Sequence, residues 1–246
     1  MDRIIYTAMN GARQIMLKQA SNNHNLANLN TTGFRADLDA FRSKPMYGPG
    51  QPSRVYVQDN RAGVDFAQGQ LITTGNDLDV AIGGEGFIAV QDKDGNESYT
   101  RRGDLRISPG GVLENGAGYP VMGNGGPIAI PPYEKLDIGR DGTISIKPLG
   151  QSAASMAVID RIKLVNPNTL DLEKTRSGLF RLTSGEDADP DASVKLETGM
   201  IETSNVNPIE AMVNMIELAR QFEMHVNILK QAQEMDTSAA TVARLG

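Results

Sequence analysis

Glycine and proline are sorted along this chain: 24 of the 26 glycines and 11 of the 12 prolines fall between residues 33 and 200. The sorting restricts the architecture, because a helix interior disfavours both residues and a turn-rich β structure needs them. The two ends are therefore expected to be helical, and the middle to be short strands joined by turns. At 246 residues the chain is long enough for one or two domains, burying roughly three quarters of its unfolded surface.

In the first segment Ile5, Ala8, Ala12, Ile15, Gln19, Asn22, Leu26 and Leu29 recur at spacings of three and four, the pattern of a helix seam that packs on other helices. Gln19 and Asn22 interrupt the seam with amides. Polar residues there lower stability and fix register or partner number, so this helix suits a defined assembly. In the last segment Asn207 is a good N-cap, Pro208 fits the first helical position and Glu210 complements the helix dipole. Ile209, Met212, Ile216, Ala219, Phe222, Val226 and Leu229 then mark an apolar stripe that Val213 and Met215 widen. Helices over residues 3–30 and 208–235 would each run about 42 Å, equal lengths that can pair. Seven of the 11 methionines lie in residues 1–35 or 205–246, where a flexible thioether can fit several slightly different neighbours.

Between these segments short β-like runs alternate with turns, among them "DVAIGGEGFIAVQ", "KLDIGRDGTISI" and "AVIDRIKLVN". Asp94-Gly95, Asn115-Gly116 and Asp141-Gly142 are turn signals between apolar runs. The expected class is α+β: an N-terminal helix over 1–34, an extended arm over 35–75, a mainly antiparallel β domain over 76–200 and a C-terminal helix over 201–246. The cluster from Pro45 to Pro52 is the linker candidate within the arm.

Few kinds of chemistry fit the composition. The chain has no cysteine, which removes disulfides, thiolate catalysis and sulfur-bound zinc. A formal net charge of -6 argues against a nucleic-acid or anionic-membrane binder. No stretch approaches the roughly 20 apolar residues of a membrane span. The start, with Asp2, Arg3, Arg13 and Lys18, does not read as a secretory signal peptide, so export would use another route. "DKDGNE" at 92–97 resembles a calcium loop but has its glycine too early and lacks the closing glutamate, so a β-turn is expected. "GGEGF" and "GNGGP" lack the Lys-Ser/Thr of a phosphate loop and read as turns or close backbone packing. Asp77 and Asp79 read as solvated carboxylates. His24 and His225 meet if the helices pair, as hydrogen-bonding partners and not as metal ligands. No catalytic residue, metal site or cofactor is expected.

The helical first segment ends in "ANLNTTGF", residues 27–34. Asn28, Asn30, Thr31 and Thr32 compete with the helix for backbone hydrogen bonds, Gly33 supplies a left-handed C-cap, and Phe34 anchors the exit. Asn25, Leu26, Ala27, Asn28, Thr31, Gly33 and Phe34 here fill the signature Asn-Leu-Ala-Asn-x-x-Thr-x-Gly-Phe, and with it the chain resembles the rod, hook and hook-filament junction family of bacterial flagellar axial proteins. "LDVAIGGEGFIAV" and "YTRRGDLRISPGGVLENGAGYPVMG" are similar to that family's β-domain core, and "SNVNPIEAMVNMIELARQFEM" to its C-terminal helix, so the resemblance covers essentially the whole chain. "MDRIIYTAMNGA" and Ala219 to Met224 look most like the proximal-rod branch. His24 and Thr32 depart from the commoner small residue and proline of the family, which affects local packing only.

The resemblance implies a structural subunit of the flagellar rod. The terminal helices would pair as a coiled-coil-like inner domain, termed D0, and the β domain would face outward. The partners implied are further copies of the chain, neighbouring proximal-rod and distal-rod subunits, and the flagellum's own type III export apparatus. Assembly would take place in the periplasm, where the rod transmits motor torque to the hook. A distal-rod or hook subunit is the alternative within the family. A β-domain enzyme or glycan-binding module is the alternative outside it, and would need convergent acid/base residues or an aromatic platform.

Overall fold

The computed structural model describes residues 4–45, 55–150 and 156–245. The proline and glycine cluster after Pro45 lies outside the described residues. The fold is α+β with mainly antiparallel sheets, and the chain divides into two compact units. A helical unit takes α1 (Ile4–Ala27), β1 (Asp37–Pro45), β2 (Val55–Val64) and α2 (Pro208–Leu245), and a β unit takes residues 29–35 and 66–205.

In the helical unit α1 and α2 run antiparallel, since the Asn22 amide donates to the Ala211 carbonyl at 2.8 Å while Gly11 lies against His225. The lengths differ from the equal pair expected: α1 has 24 residues and α2 has 38. Nothing after Pro208 breaks the second helix until Gly246, whereas α1 stops at the asparagines after Ala27. The start of α2 is as its sequence indicates, with Asn207 Oδ1 accepting the amides of Ile209 at 3.0 Å and Glu210 at 3.4 Å. The expected arm contains a long antiparallel hairpin, β1 with β2, in which Asp37 pairs with Val64 and Pro45 with Val55. Asn25 ties this hairpin to the last turn of α1: its side chain donates to the Asp37 carbonyl and accepts the Asp37 amide, both at 2.9 Å. The asparagine amide thereby takes the place of a ladder partner.

The β unit holds a five-stranded sheet in the order β12-β5-β6-β14-β13, formed by Leu164–Val165, Phe87–Gln91, Glu97–Thr100, Phe180–Leu182 and Leu172–Lys174. A three-stranded sheet runs β11-β10-β9, from Ala157–Arg161, Thr143–Pro148 and Tyr133–Ile138. Two-stranded ribbons pair β7 (Leu105–Ile107) with β8 (Leu113–Asn115), β4 (Val80–Ile82) with β15 (Leu196–Thr198), and β3 (Leu71–Thr73) with β16 (Met200–Glu202). Val80, Ile82, Ile88, Val90, Leu113, Val121, Ile144 and Leu196 are sealed in one core between these layers. The three turn signals are all used. Asp92 Oδ1 accepts the amides of Asp94 and Asn96, so the calcium-like stretch is a β-turn closed on its own carboxylate.

Candidate functional site

The helices carry two kinds of apolar surface. On α1 the expected seam faces inward: Ala8, Ala12 and Ile15 are buried, and Ile5 and Leu26 are half-buried. Leu29 lies past the helix, in the β unit, and is half-buried. On α2 the buried residues are Ala211, Leu218 and Ala232. Of the stripe read from sequence, Phe222, Val226 and Leu229 are half-buried, whereas Ile209, Met212, Ile216 and Ala219 are exposed. Ile209 shows 73% of its surface and Ile216 54%. Ile209, Met212 and Ile216, in the first turns of α2, therefore do not cover α1. Tyr6, Met9, Met16 and Leu17 on α1 are exposed as well. Ile209, Met212 and Ile216 recur at helical spacing and so lie along one face of α2.

The second feature lies in the β unit, where the chain arrives from α1 and leaves towards α2. Glu202 on β16 is fully buried and accepts from Arg35 at 2.5 Å and from Arg101 at 2.7 Å. Arg35 and Arg101 are themselves 1% and 4% exposed. A carboxylate without solvent is tolerable only with such charge-assisted partners, and Glu202 Oε1 also accepts the Gly69 amide at 2.8 Å. The Arg101 guanidinium finishes its bonding on the carbonyls of Gly84 at 2.8 Å and Gly86 at 2.9 Å. These two glycines of "GGEGF" have φ of 99° and 122°, which bends the loop so that its carbonyls converge on the arginine. The stretch is the tight, closely packed loop expected from its glycines, and its carbonyls cradle the arginine.

The family motif ends on this clamp. Gly33 has φ 65°, donates its amide to the Glu202 carbonyl at 2.8 Å, and lies so close to the Arg101 backbone that a β-carbon would overlap it. It stands six residues beyond the end of α1, so it is not the helix cap expected from sequence. It closes the Thr31–Phe34 turn, in which Phe34 N bonds to Thr31 O. Thr32 donates to Asp104 at 2.9 Å, and the Lys174 ammonium sits 4.1 Å from the centroid of the buried Phe34 ring. Asn28 bonds back to the His24 carbonyl at 2.9 Å. Ala27 is exposed at the helix end.

The two histidines do not meet. The antiparallel register puts His225 against Gly11, and His24 instead approaches Asp37 at 2.8 Å. Asp79 accepts from Thr74 at 2.6 Å, and Asp77 is exposed. Burial pushes the Tyr99 hydroxyl well above its ordinary range, so it stays protonated and accepts the Ala188 amide. A cleft of about 360 Å³ beside the clamp is lined by Phe66, Glu85, Phe87 and Asn168 with the two arginines. Phe87 is buried and packs edge-on to Phe66, so it forms a core contact and not a stacking platform. Among the described residues no group of three or more His, Cys, Asp or Glu side chains is placed to hold a metal, and no helix is long and apolar enough to cross a membrane. The signal that sequence reading missed is the clamp itself.

Residues 81–146 match the family model described as the flagellar hook protein FlgE/F/G D1 domain, and residues 197–242 match that of the flagellar basal body rod FlgEFG protein C-terminal. The flagellar basal-body rod protein FlgF of Salmonella typhimurium is 40% identical over 245 residues, which covers 97% of each chain. That of Escherichia coli is 39% identical over 240 residues, 95% of each chain. The flagellar basal-body rod protein FlgG of Buchnera aphidicola is 33% identical over 247 residues, covering 91% of this chain and 92% of its own.

Proposed function

The chain belongs to the FlgF family of flagellar basal-body rod proteins and is a structural subunit of the proximal rod, and from that premise we propose how its parts serve the assembly. The helices α1 and α2 act as one coiled-coil-like element, the D0 domain. Their inner seam joins the two ends of one subunit. Their outer apolar residues, Tyr6, Met9 and Met16 on α1 with Ile209, Met212 and Ile216 on α2, pack against further copies and against neighbouring proximal-rod and distal-rod subunits. The β1–β2 hairpin and the β unit complete the outer part of the shaft, which carries motor torque to the hook. The chain does no catalysis in this reading, inserts into no membrane, and leaves the cell interior through the flagellar type III apparatus.

The observation that carries this reading is the uncovered apolar face of α2, with Ile216 54% exposed while Leu218 is buried. A face left open on a helix whose other face is closed is what subunit packing requires. Ile216→Asp tests it: the variant subunit should fold as the parent does, since the site is open to water, while cells producing it should lack rods and not swim. Swimming cells with normal rods would overturn the reading of this face.

A further inference from the structure

We propose that Gly11 and His225 form a notch and key that fixes the register of α1 on α2 and so decides which helix α1 accepts; this rests on the helix pair being the rod-forming element. Gly11 is the single glycine of α1, at a mid-helix position where alanine would form the better helix. Its place there needs another cause, and the neighbouring ring supplies one. The imidazole of His225 occupies the space in which a side chain at residue 11 would begin: a β-carbon there overlaps Cε1 and comes within 3.0 Å of both ring nitrogens.

The flanking seam positions, Ala8, Ala12 and Ile15, are buried and already filled. A slip of one turn in either direction sets the ring against a β-carbon. The ring nitrogen Nδ1 is buried without a hydrogen-bond partner, so the fit of shape holds the ring and a polar contact at that atom does not. The second fixed point is the amide of Asn22 on the Ala211 carbonyl. Two such points on one helix pair define a single antiparallel register, and they exclude a foreign helix in two ways. A helix that lacks the ring leaves a void over Gly11, and an α1 with any side chain at that position repels the ring. The partner selected is an α2 helix of this chain, in competition with the related helices of other rod subunits.

The test is a double-mutant cycle in a strain lacking the gene, complemented by the full chain, with assembled rods counted in isolated basal bodies. Gly11→Ala should reduce the rods by about tenfold, the scale of one overpacked contact. His225→Ala should be milder, and the double variant should recover most of the rods. The sign is diagnostic, because without the key Gly11→Ala only strengthens the helix. Rod counts at the parental level for Gly11→Ala, or a double variant no better than Gly11→Ala, overturn the proposal. A gene deletion that leaves rods intact would instead overturn the function on which it rests.

Discussion

The β unit and the helical unit use apolar residues in opposite ways. In the β unit Val80, Ile82, Leu113, Ile144 and Leu196 are sealed from solvent on every side by strands of the same unit. In the helical unit the closed seam consists largely of alanines with Ile15 and Leu218, while larger side chains such as Met16, Ile209 and Met212 stay open. Apolar burial stabilises at about 25 cal/mol per Å², so the first unit realises its apolar stabilisation within the chain and the second leaves much of it unrealised there.

The division can be broken most directly at the clamp. Glu202→Ala leaves the buried guanidiniums of Arg35 and Arg101 without their counter-charge, at a cost of about 3–5 kcal/mol. The unfolding transition of the β unit should drop by roughly 10 °C in calorimetry. A change of only a degree or two would mean that the clamp is not what secures the two chain crossings of this unit. Next in size, Ile144→Ala cuts into the sealed core and should cost about 2–5 kcal/mol by denaturant unfolding of the full chain.

A smaller effect separates the units. Ile15→Asn places an unpaired amide in the α1 seam, where Ile15 is 7% exposed, and should cost about 1–3 kcal/mol. The loss should be confined to the helices, read as reduced helical circular dichroism with an unchanged β transition. If the β transition falls with it, the two units do not fold independently and the comparison fails.

What the sequence showed of this arrangement follows from the range of each interaction. The start of α2 was legible at Asn207-Pro208 because a cap involves three neighbouring residues, and the α1 seam was legible because its periodicity is local. Along the α2 stripe Phe222, Val226 and Leu229 are half-buried, while Ile209, Met212 and Ile216 are not. Periodicity and side-chain size favour Ile209, Met212 and Ile216, yet nothing within a single helix states which of its faces the chain itself will cover, and here alanines lie inward so that the backbones come close. The clamp was illegible for a different reason: Arg35 and Glu202 are separated by 167 positions, so neither residue has a local pattern that points to the other. Gly33 is left-handed as its sequence setting indicates, but Arg101 and Glu202, both distant in sequence, make it part of the clamp and not a helix cap.

The smallest effect concerns acid, which should reach the two units differently. The Asp141 carboxylate closes the β9–β10 turn and is held below its ordinary 3.8 by the Thr143 hydroxyl at 2.7 Å, and then by the Thr143 amide. Because the folded state prefers the ionised form, Asp141 contributes stability that is present above pH 3.8 and is lost as pH falls through the lowered folded value. The matching position on the helical side, the cap of α2, is the neutral amide of Asn207, which has no proton to gain. Asp141→Asn should therefore lower the urea midpoint of the β transition slightly at neutral pH, and the gap from the parent should close well below pH 3.8. The helical signal should not follow the same curve. A gap that persists unchanged into acid would assign the effect to shape in the turn rather than to charge, and a helical signal that tracks it would mean that this turn and the α2 cap are lost together.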